Sequence, residues 1–361
     1  MHPFKLLLLV VTAFTVTAVF PGQTEDALKG AEAIKVALQP KFHITNTAPE
    51  LRTLKERMVA LNIPAVSIAF MQDHKISWTV TEGVIDLKSQ RQIDKNTVFQ
   101  AASISKPVFA TVLLKYRQQP PLDLDTDVNT LLKSWQLPKH KWSKSSPVTL
   151  RRLLSHSAGT TVHGFRGYAV GENVPSIIEV LEGANPANSK AVLVDIEPNT
   201  ILRYSGGGTT LAQLVLQDQS RILLPELAKT LIFEPLGMQH SAYSQPLNEK
   251  LAKNAAVPYR SSGIAVEGGA HTYATLAAAG LWTTPSDLLK LASNIQRSYQ
   301  GLDSSFLTNK TVSEILTPQI ESIGIGFFTS WEYIGPQELR AYRILHLSIR
   351  RHTIRFIHVG F

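Results

Sequence analysis

Strand-like and helix-like segments occupy separate blocks of this chain instead of alternating along it. Near the N-terminus, residues 64–72 ("PAVSIAFMQ") and 75–85 ("KISWTVTEGVI") are rich in β-branched and aromatic residues. Residues 73–74 ("DH") supply a turn between them, so the two runs predict a β-hairpin. Helical patterns follow, and residues 322–328 ("SIGIGFF") return to a strand-like pattern. This order predicts an α+β fold and disfavours a parallel α/β sheet, in which strands and helices alternate.

The middle of the chain carries helical segments with recognisable boundary residues. Thr149 is an N-cap candidate for the segment 148–156, and Thr284 is one for the segment 283–295, where Pro285 suits the first helical turn. Further helical patterns cover residues 103–116, 175–183 and 209–219. We therefore expect an α/β sandwich, in which helices flank an antiparallel sheet closed by both chain ends, plus an all-helical subdomain.

The N-terminal segment has the pattern of a secretory signal peptide. Lys5 precedes an apolar run over residues 6–20, which is shorter than the ~20 residues that a membrane span needs. Ala18 is a plausible cleavage position, so we assign residues 1–22 to a signal peptide and residues 21–45 to a polar lead-in. The protein is then exported, periplasmic or secreted. The alternative is an uncleaved anchor, which would be the only membrane contact.

Composition excludes several classes of function. The sequence contains no cysteine, which rules out disulfides, thiolate metal sites and a cysteine nucleophile. The histidines show no metal-ligand spacing, so we expect no metal and no cofactor. The net charge of +8 favours attraction to an anionic surface, but without a nucleic-acid-binding motif we expect no nucleic-acid partner. The histidines considered are His2, His43, His74, His140 and His163.

The stretch "QAASISKPVF" (residues 100–109) is a candidate nucleophile site. Ser103 and Lys106 are three residues apart, which places them on one face of a helix. Pro107 is tolerated only in a first helical turn, so it predicts a helix that begins near Ser103. Free backbone N–H groups there can stabilise an oxyanion, and a neutral lysine amine can accept the hydroxyl proton. By itself the pattern also fits a capping serine followed by a solvated lysine.

The longer stretch 96–116 ("NTVFQAASISKPVFATVLLKY") resembles the active-site segment of the serine β-lactamase and penicillin-binding-protein superfamily. The likeness is greatest to the class C β-lactamase branch, with its related esterases and D-alanyl-D-alanine carboxypeptidases. It extends over about residues 50–328. The other matching segments follow in the family's order: "PAVSIAF", "LDLDTDVNTLL" (122–132), "VTLRRLLSHSAGT" (148–160), "ILRYSGGGTTLAQLVLQ" (201–217), "FEPLGMQHS" (233–241) and "AAAGLWTTPSDLLKLA" (277–292).

This resemblance implies roles for individual residues. Ser103 corresponds to the acylated nucleophile, Lys106 to its base or proton relay, and Tyr204 to the tyrosine that shuttles protons to the leaving group and from water. Ser205 and Gly206 correspond to substrate-binding positions of the family's Tyr-Ser-Asn box. The implied substrate is a small molecule or a peptidoglycan peptide, and we expect a monomer. Tyr204 could instead be a buried aromatic residue with a satisfied hydroxyl.

Two departures from the family pattern matter. Gly206 stands where β-lactamases of this branch place an asparagine, which weakens the case for β-lactam turnover and favours an esterase or peptidase. A clear Lys-Thr-Gly or His-x-Gly third motif is absent: His346 lacks the glycine, and residues 358–360 match the letters one residue before the end. We therefore expect a hydrolase domain over residues 45–328 and an atypical tail over 329–361, in which the fold is truncated or aberrant. Our hypothesis for the tail is a shifted reading frame.

The leading hypothesis is an exported serine hydrolase that forms an acyl-enzyme on Ser103 and acts on an ester, a D-Ala peptide or a β-lactam. A catalytically defective binding protein of the same fold and a truncated inactive homologue are the alternatives. No Gly-x-Ser-x-Gly elbow occurs, which disfavours an α/β-hydrolase. For His156, a structural role at the end of its helix is favoured over that of a triad base.

Overall fold

The computed structural model describes residues 23–38, 48, 50–118 and 121–329, with side chains from residue 29 onward, and the backbone of residues 353–360. The predicted signal peptide over residues 1–22 lies outside the described residues. So does most of the predicted atypical tail, namely residues 330–352 and residue 361.

The described chain forms helices and short strands in the predicted blocks. A 3₁₀ turn, Ala102–Ile104, precedes the helix Ser105–Tyr116, and a π-helical turn, Lys229–Phe233, follows the helix Leu224–Ala228. The strands are β1 Ala65–Gln72, β2 Lys75–Gly83, β3 Phe99–Gln100, β4 Trp282–Thr283 and β5 Thr353–Gly360. The α-helices are α1 Gln23–Val36, α2 Leu54–Ala60, α3 Ser105–Tyr116, α4 Val128–Leu131, α5 Leu150–Leu154, α6 Ile177–Glu182, α7 Gly206–Ser220, α8 Leu224–Ala228, α9 Glu249–Ala252, α10 Leu276–Ala279, α11 Pro285–Tyr299 and α12 Asn309–Leu316.

The larger sheet joins strands from the N-terminal and C-terminal parts of the chain, but its C-terminal strand is β5 and not the predicted segment 322–328. Its order is β2-β1-β5, and both pairs are antiparallel. The predicted hairpin is confirmed, with Asp73 and His74 at its turn, both at positive φ, as a tight hairpin turn requires. The backbone of residues 353–360 pairs with β1 from Ala65 to Gln72, so part of the tail contributes a strand to this sheet.

Helices cover both faces of this sheet, because β1 buries alternate side chains on opposite sides. Val66 and Ile68 join a small core with residues of α1 and α2. Ala69 and Met71 belong instead to the main core, which includes Leu288 and other residues of α11. The arrangement is the predicted α/β sandwich, and the α+β fold class is confirmed.

The helical part of the main core is built around two buried helices. Every residue of α7 from Gly206 to Leu216 is buried, as are the residues of α3 from Val108 to Leu114. A helix that is buried on all sides needs neighbours all round, which α5, α8 and α10 provide. The predicted N-caps are also present: Thr149 accepts the Arg152 N–H, and Thr284 accepts the Asp287 N–H.

Two sequence predictions about secondary structure are wrong. Within the polar lead-in predicted for residues 21–45, residues 23–36 form α1, whose Gly30 packs against the Trp78 ring. Tertiary contact with β2 stabilises a helix that its weak apolar pattern did not reveal.

The segment 322–328 is not a strand, although its composition is strand-like. It makes only isolated bridges, Ile320 with Ile323 and Ile323 with Phe328. Gly326 adopts a φ of 77°, and its N–H donates to the Leu154 carbonyl at 3.0 Å. The backbone therefore bonds to the end of α5 and turns beneath α3 instead of extending along a sheet.

Candidate active site

Ser103 lies at the junction between β3 and α3. It is exposed in the 3₁₀ turn Ala102–Ile104, which leads directly into α3. Pro107 occupies the first turn of α3, which confirms the predicted helix start near Ser103. The preceding residue, Ala102, has a φ of 42°, a left-handed conformation that costs an alanine about 1–2 kcal/mol. Strained backbone of this kind concentrates at functional sites.

Lys106 connects the nucleophile to a helix from a distant part of the chain. Its side chain is buried, and its Nζ donates hydrogen bonds to Ser103 Oγ at 3.1 Å and to the Ala278 carbonyl oxygen at 2.8 Å. Ala278 belongs to α10, which is held to α7 because the Ala277 N–H donates to Gln213 Oε1 at 2.8 Å. The lysine is therefore aimed at Ser103 and is not a solvated surface residue.

Buried hydrogen bonds fix the turn that carries Ser103 and Lys106. Ser105 Oγ donates to the Ala102 carbonyl at 2.5 Å and accepts the Leu281 N–H at 3.0 Å. Tyr243 Oη donates to the Ser105 carbonyl at 2.6 Å. Burial raises the pKa of Tyr243 well above its usual value, so this phenol remains a donor. The turn is thus held by hydrogen bonds from side chains that are buried away from water.

Tyr204 completes a cluster with Lys106 and two histidines. The Lys106 Nζ lies 4.9 Å from the centroid of the Tyr204 ring, a cation–π contact. The rings of His156 and His163 lie 4.3 Å and 4.9 Å from that ring, centroid to centroid. The structure therefore brings together the three residues predicted to be catalytic, Ser103, Lys106 and Tyr204.

His156 is a hydrogen-bond acceptor inside the protein. Burial, followed by the positive charges of Lys106 and His163, lowers its pKa to about 3. Its Nδ1 accepts the Ser205 N–H at 3.2 Å, and its carbonyl accepts the Arg203 N–H at 2.8 Å. The imidazole is thus neutral near neutral pH and holds the residues on either side of Tyr204, which matches the structural role favoured from the sequence.

Ser205, predicted to bind substrate, has its hydroxyl engaged within the protein. It is the N-cap of α7, where Oγ accepts the Gly208 N–H at 2.8 Å and donates to the Thr161 carbonyl at 2.7 Å. The residue is buried. This geometry gives the Ser205 side chain a role in positioning the start of α7, next to Tyr204.

Gly206, also predicted to bind substrate, lies beneath a neighbouring loop. A Cβ at this position would lie 3.0 Å from the His163 carbonyl oxygen and 3.2 Å from the Phe165 ring. The Gly206 N–H donates to that same carbonyl at 2.9 Å. A side chain at this position would therefore press on the loop, which would have to give way by a few tenths of an ångström.

Sequence reasoning missed several groups of this site. The Ala278 carbonyl is a main-chain group and leaves no signal in a side-chain pattern. Tyr243 lies far along the chain from Ser105, and nothing in its surroundings marks it. His163 was considered only as a metal ligand, and its proximity to the "YSGGG" box in space could not be read from spacing.

Other features of the described residues bear on the site. Among residues 29–38, 48, 50–118 and 121–329, no group of three or more acidic or histidine side chains is arranged to hold a metal ion. No helix in the described part of the chain is long and apolar enough to cross a membrane. The third-motif candidates His346 and His358 lie outside the described side chains.

A family model supports the relationship that the motifs suggest. The model described as Beta-lactamase matches residues 51–323, which is most of the chain. This span contains the turn with Ser103 and Lys106, as well as Tyr204.

Curated relatives are distant and longer. Teichoic acid D-alanine hydrolase from Staphylococcus aureus is 25% identical over 257 residues, which are 70% of this chain and 59% of the relative. Unguisins hydrolase ungD from Aspergillus violaceofuscus is 24% identical over 201 residues, which are 53% of this chain and 33% of the relative. The chain thus spans a third to three fifths of these relatives' lengths.

Solved structures share the fold at low sequence identity. The octameric penicillin-binding protein homologue from Pyrococcus abyssi has a TM-score of 0.60 and 22% identity, covering 76% of this chain and 62% of its own. EstCE1, described as a hydrolase with promiscuous acyltransferase activity, has a TM-score of 0.62 and 15% identity, covering 84% and 82%.

Proposed function

Because the chain belongs to the β-lactamase family, we propose that it is a serine hydrolase that forms an acyl-enzyme on Ser103 and preferentially cleaves carboxylic esters. The observation that carries the proposal is the hydrogen bond between Lys106 Nζ and the exposed Ser103 Oγ, at 3.1 Å. A nucleophile and its base within hydrogen-bond reach, with the base held by a third group, form the arrangement that covalent catalysis needs. Here the third group is the Ala278 carbonyl.

In the first half-reaction, Ser103 Oγ attacks the carbonyl carbon of the ester. The hydroxyl proton passes to Lys106 in its neutral form, and the Ser103 main-chain N–H stabilises the oxyanion. The bond between the acyl carbon and the alkoxy oxygen then breaks, and the alcohol leaves with a proton relayed through Tyr204. The product of this step is an ester between the acyl group and Ser103.

In the second half-reaction, water replaces the alcohol. Tyr204 accepts a proton from the water as its oxygen attacks the acyl carbon. The bond to Ser103 Oγ breaks, the serine regains its proton, and a carboxylic acid leaves.

Gly206 favours esters over β-lactams and peptides, because it lacks the asparagine amide that in the family contacts an amide carbonyl of the substrate. The names of two similar proteins agree with an ester substrate: one acts on D-alanine of teichoic acid, and the other is a hydrolase with acyltransferase activity. We include D-alanyl esters of envelope polymers among the candidate substrates, since the net charge of +8 would attract such anionic polymers.

Covalent labelling tests this proposal. The protein is incubated with a fluorophosphonate and, separately, with a labelled penicillin, and intact-mass and peptide spectra locate any adduct. We expect a fluorophosphonate adduct on Ser103 that is lost in Ser103→Ala and kept in Ser89→Ala, which removes an exposed surface serine. A folded protein that hydrolyses no short-chain ester and gives no adduct would exclude the hydrolase.

A catalytically defective binding protein is the second candidate. The observation in its favour is that the chain lacks a clear third motif, which in the family supplies the other oxyanion donor. Such a protein would bind a labelled penicillin or an ester reversibly. Equilibrium binding without an adduct, in a cooperatively folded sample, distinguishes this outcome from hydrolysis.

Export through residues 1–22 is part of the proposal. The motivating pattern is Lys5 followed by the apolar run over residues 6–20 and the small residue Ala18. Expression of the full chain with fractionation tests it. A mature N-terminus close to residue 22 in the exported fraction supports cleavage, and retention of Met1 in the cytoplasmic fraction contradicts it.

A further inference from the structure

His163 is the exposed side chain of the Tyr204 cluster. Its ring lies 4.9 Å from the Tyr204 ring, centroid to centroid, with 41° between the ring planes. Buried His156 contacts the same ring at 4.3 Å. Of the two imidazoles on Tyr204, one is therefore inside the protein and the other faces solvent.

The loop that carries His163 is fastened across the start of α7. The carbonyls of His163 and Val162 accept the N–H groups of Gly206 and Gly207 at 2.9 Å and 3.0 Å. The Thr161 carbonyl accepts the Ser205 hydroxyl at 2.7 Å. These contacts use the first N–H groups of α7, which a helix leaves without partners of its own.

Three consecutive glycines allow this close approach. A Cβ at Gly207 would lie 2.7 Å from the Thr161 carbonyl oxygen and 2.8 Å from Val192, and a Cβ at Gly208 would lie 2.7 Å from Thr160 Oγ1. Real Cβ atoms do not come so close, so any other residue would displace the segment 160–163. The three glycines that begin α7 therefore leave room for the segment 160–163, and this close packing places the His163 ring against Tyr204.

We propose that His163 is a positioning residue for Tyr204: its ring contact holds the phenol against Lys106 on the solvent side of the cluster. This inference rests on the proposed hydrolase function. A misplacement of about 1 Å in a catalytic group can lower the rate by about 100-fold. The effect should therefore fall on kcat, because His163 positions a proton-transfer group and is not required to bind the ester.

The test compares His163→Ala, His163→Phe and His240→Ala. His240 is a partly exposed histidine outside the cluster and serves as the matched control. We measure kcat, KM and their pH dependence for a short-chain ester, together with circular dichroism. We expect His163→Ala to lower kcat by about 10–100-fold with KM changed less than about 3-fold. His163→Phe, which keeps a ring, should retain kcat within about 5-fold, and His240→Ala should match wild type.

A substitution in α7 tests the same contact between His163 and Tyr204. Gly207→Ala should displace the segment 160–163 and lower kcat with His163 still present. Because both changes disturb one contact, the double variant with His163→Ala should lose no more than the larger single loss. Independent, multiplicative losses would contradict the proposal.

The outcomes separate this inference from the proposed function. If Ser103→Ala abolishes hydrolysis while a folded His163→Ala keeps wild-type kcat, the hydrolase stands and the positioning role is overturned. If His163→Phe loses more than about 10-fold, or loses the acid limb of the pH profile, then His163 acts through its charge and the ring-contact proposal fails. If wild type and Ser103→Ala are equally inactive, the proposed function itself fails.

Discussion

The two halves of the candidate site are held in different ways. The half with Ser103 and Lys106 is fixed by hydrogen bonds among buried groups: Ser105, Tyr243 and the Ala278 carbonyl. In the half with Tyr204, hydrogen bonds to His156 hold the main chain on either side, but the Tyr204 ring itself is held by contacts with the rings of His156 and His163, of which one is exposed. Buried hydrogen bonds are costly to leave unmade, whereas ring contacts at a surface allow small shifts. We infer that the first half provides rigidity and the second half allows tuning.

The largest effect is expected from the centre of the rigid half. Lys106→Met keeps the length of the side chain but removes the proton acceptor and the donor to Ala278. We expect kcat for ester hydrolysis to fall by about 1,000-fold or more, since the nucleophile loses its base. Stopped-flow or long-time ester assays measure the loss. A variant within about 10-fold of wild type would contradict the assigned role of Lys106.

The next prediction concerns the half with Tyr204, where the stability contributed by His156 depends on pH. The pKa of His156 is about 3 in the folded protein, against 6.5 for a solvent-exposed histidine. Between these values the unfolded chain binds a proton that the folded chain does not, so stability is lost as pH falls through this window. The loss from this group amounts to about 2 kcal/mol at pH 5 relative to pH 8.

His156→Asn tests that contribution. Asparagine tolerates the φ of 58° at this position and offers an oxygen to the Ser205 N–H, but it does not titrate. Urea unfolding at pH 8 and pH 5 should show a smaller acid-induced loss of stability in the variant, by about 2 kcal/mol. Equal pH dependence in the two proteins would mean that His156 is not buried and neutral.

An effect of similar size is expected for Tyr243, which supports the turn that carries Ser103. Tyr243→Phe removes the hydrogen bond to the Ser105 carbonyl without opening a large cavity. Loss of a buried hydrogen bond costs about 1–3 kcal/mol when its acceptor remains unsatisfied. Thermal and urea unfolding measure the change, and Tyr299→Phe, at a partly exposed tyrosine, is the matched control. No change in stability would indicate that water replaces the phenol.

The smallest effect is expected from an exposed ion pair in the loop that carries His163. Arg166 and Glu172 form an ion pair at 3.0 Å, but their side chains are 62% and 41% exposed. Exposed pairs contribute about 0–1 kcal/mol, so Arg166→Ala should change unfolding free energy by less than about 1 kcal/mol. A larger loss in a urea titration would mean that charge, and not close packing on the glycines, holds this loop.

The fold class and the pairing of Ser103 with Lys106 could be predicted because both depend on local patterns. Ser103, Lys106 and Pro107 lie within one helical turn, so their juxtaposition follows from helix geometry. The hairpin around Asp73 and His74 is equally local. Tyr204 was reached only through its resemblance to a family box, since no local rule relates it to a turn about 100 residues earlier.

The predictions that were wrong concern segments whose structure depends on long-range contacts. Residues 23–36 are helical because they pack on Trp78, and residues 322–328 are bent because their partners are α5 and α12 instead of a strand. Ser205 was predicted to bind substrate, but tertiary contact with Thr161 engages its hydroxyl. In each case, long-range packing decided what the local pattern left open.

The sequence by itself determined the class of fold, the helix that begins near Ser103 and the chemistry available to that helix, because helix periodicity, capping and proline geometry act over a few residues. The tertiary structure alone decided that Lys106 is anchored by Ala278 and that the glycines at 206–208 admit the loop with His163. Main-chain acceptors and available space depend on which segments meet in the folded chain.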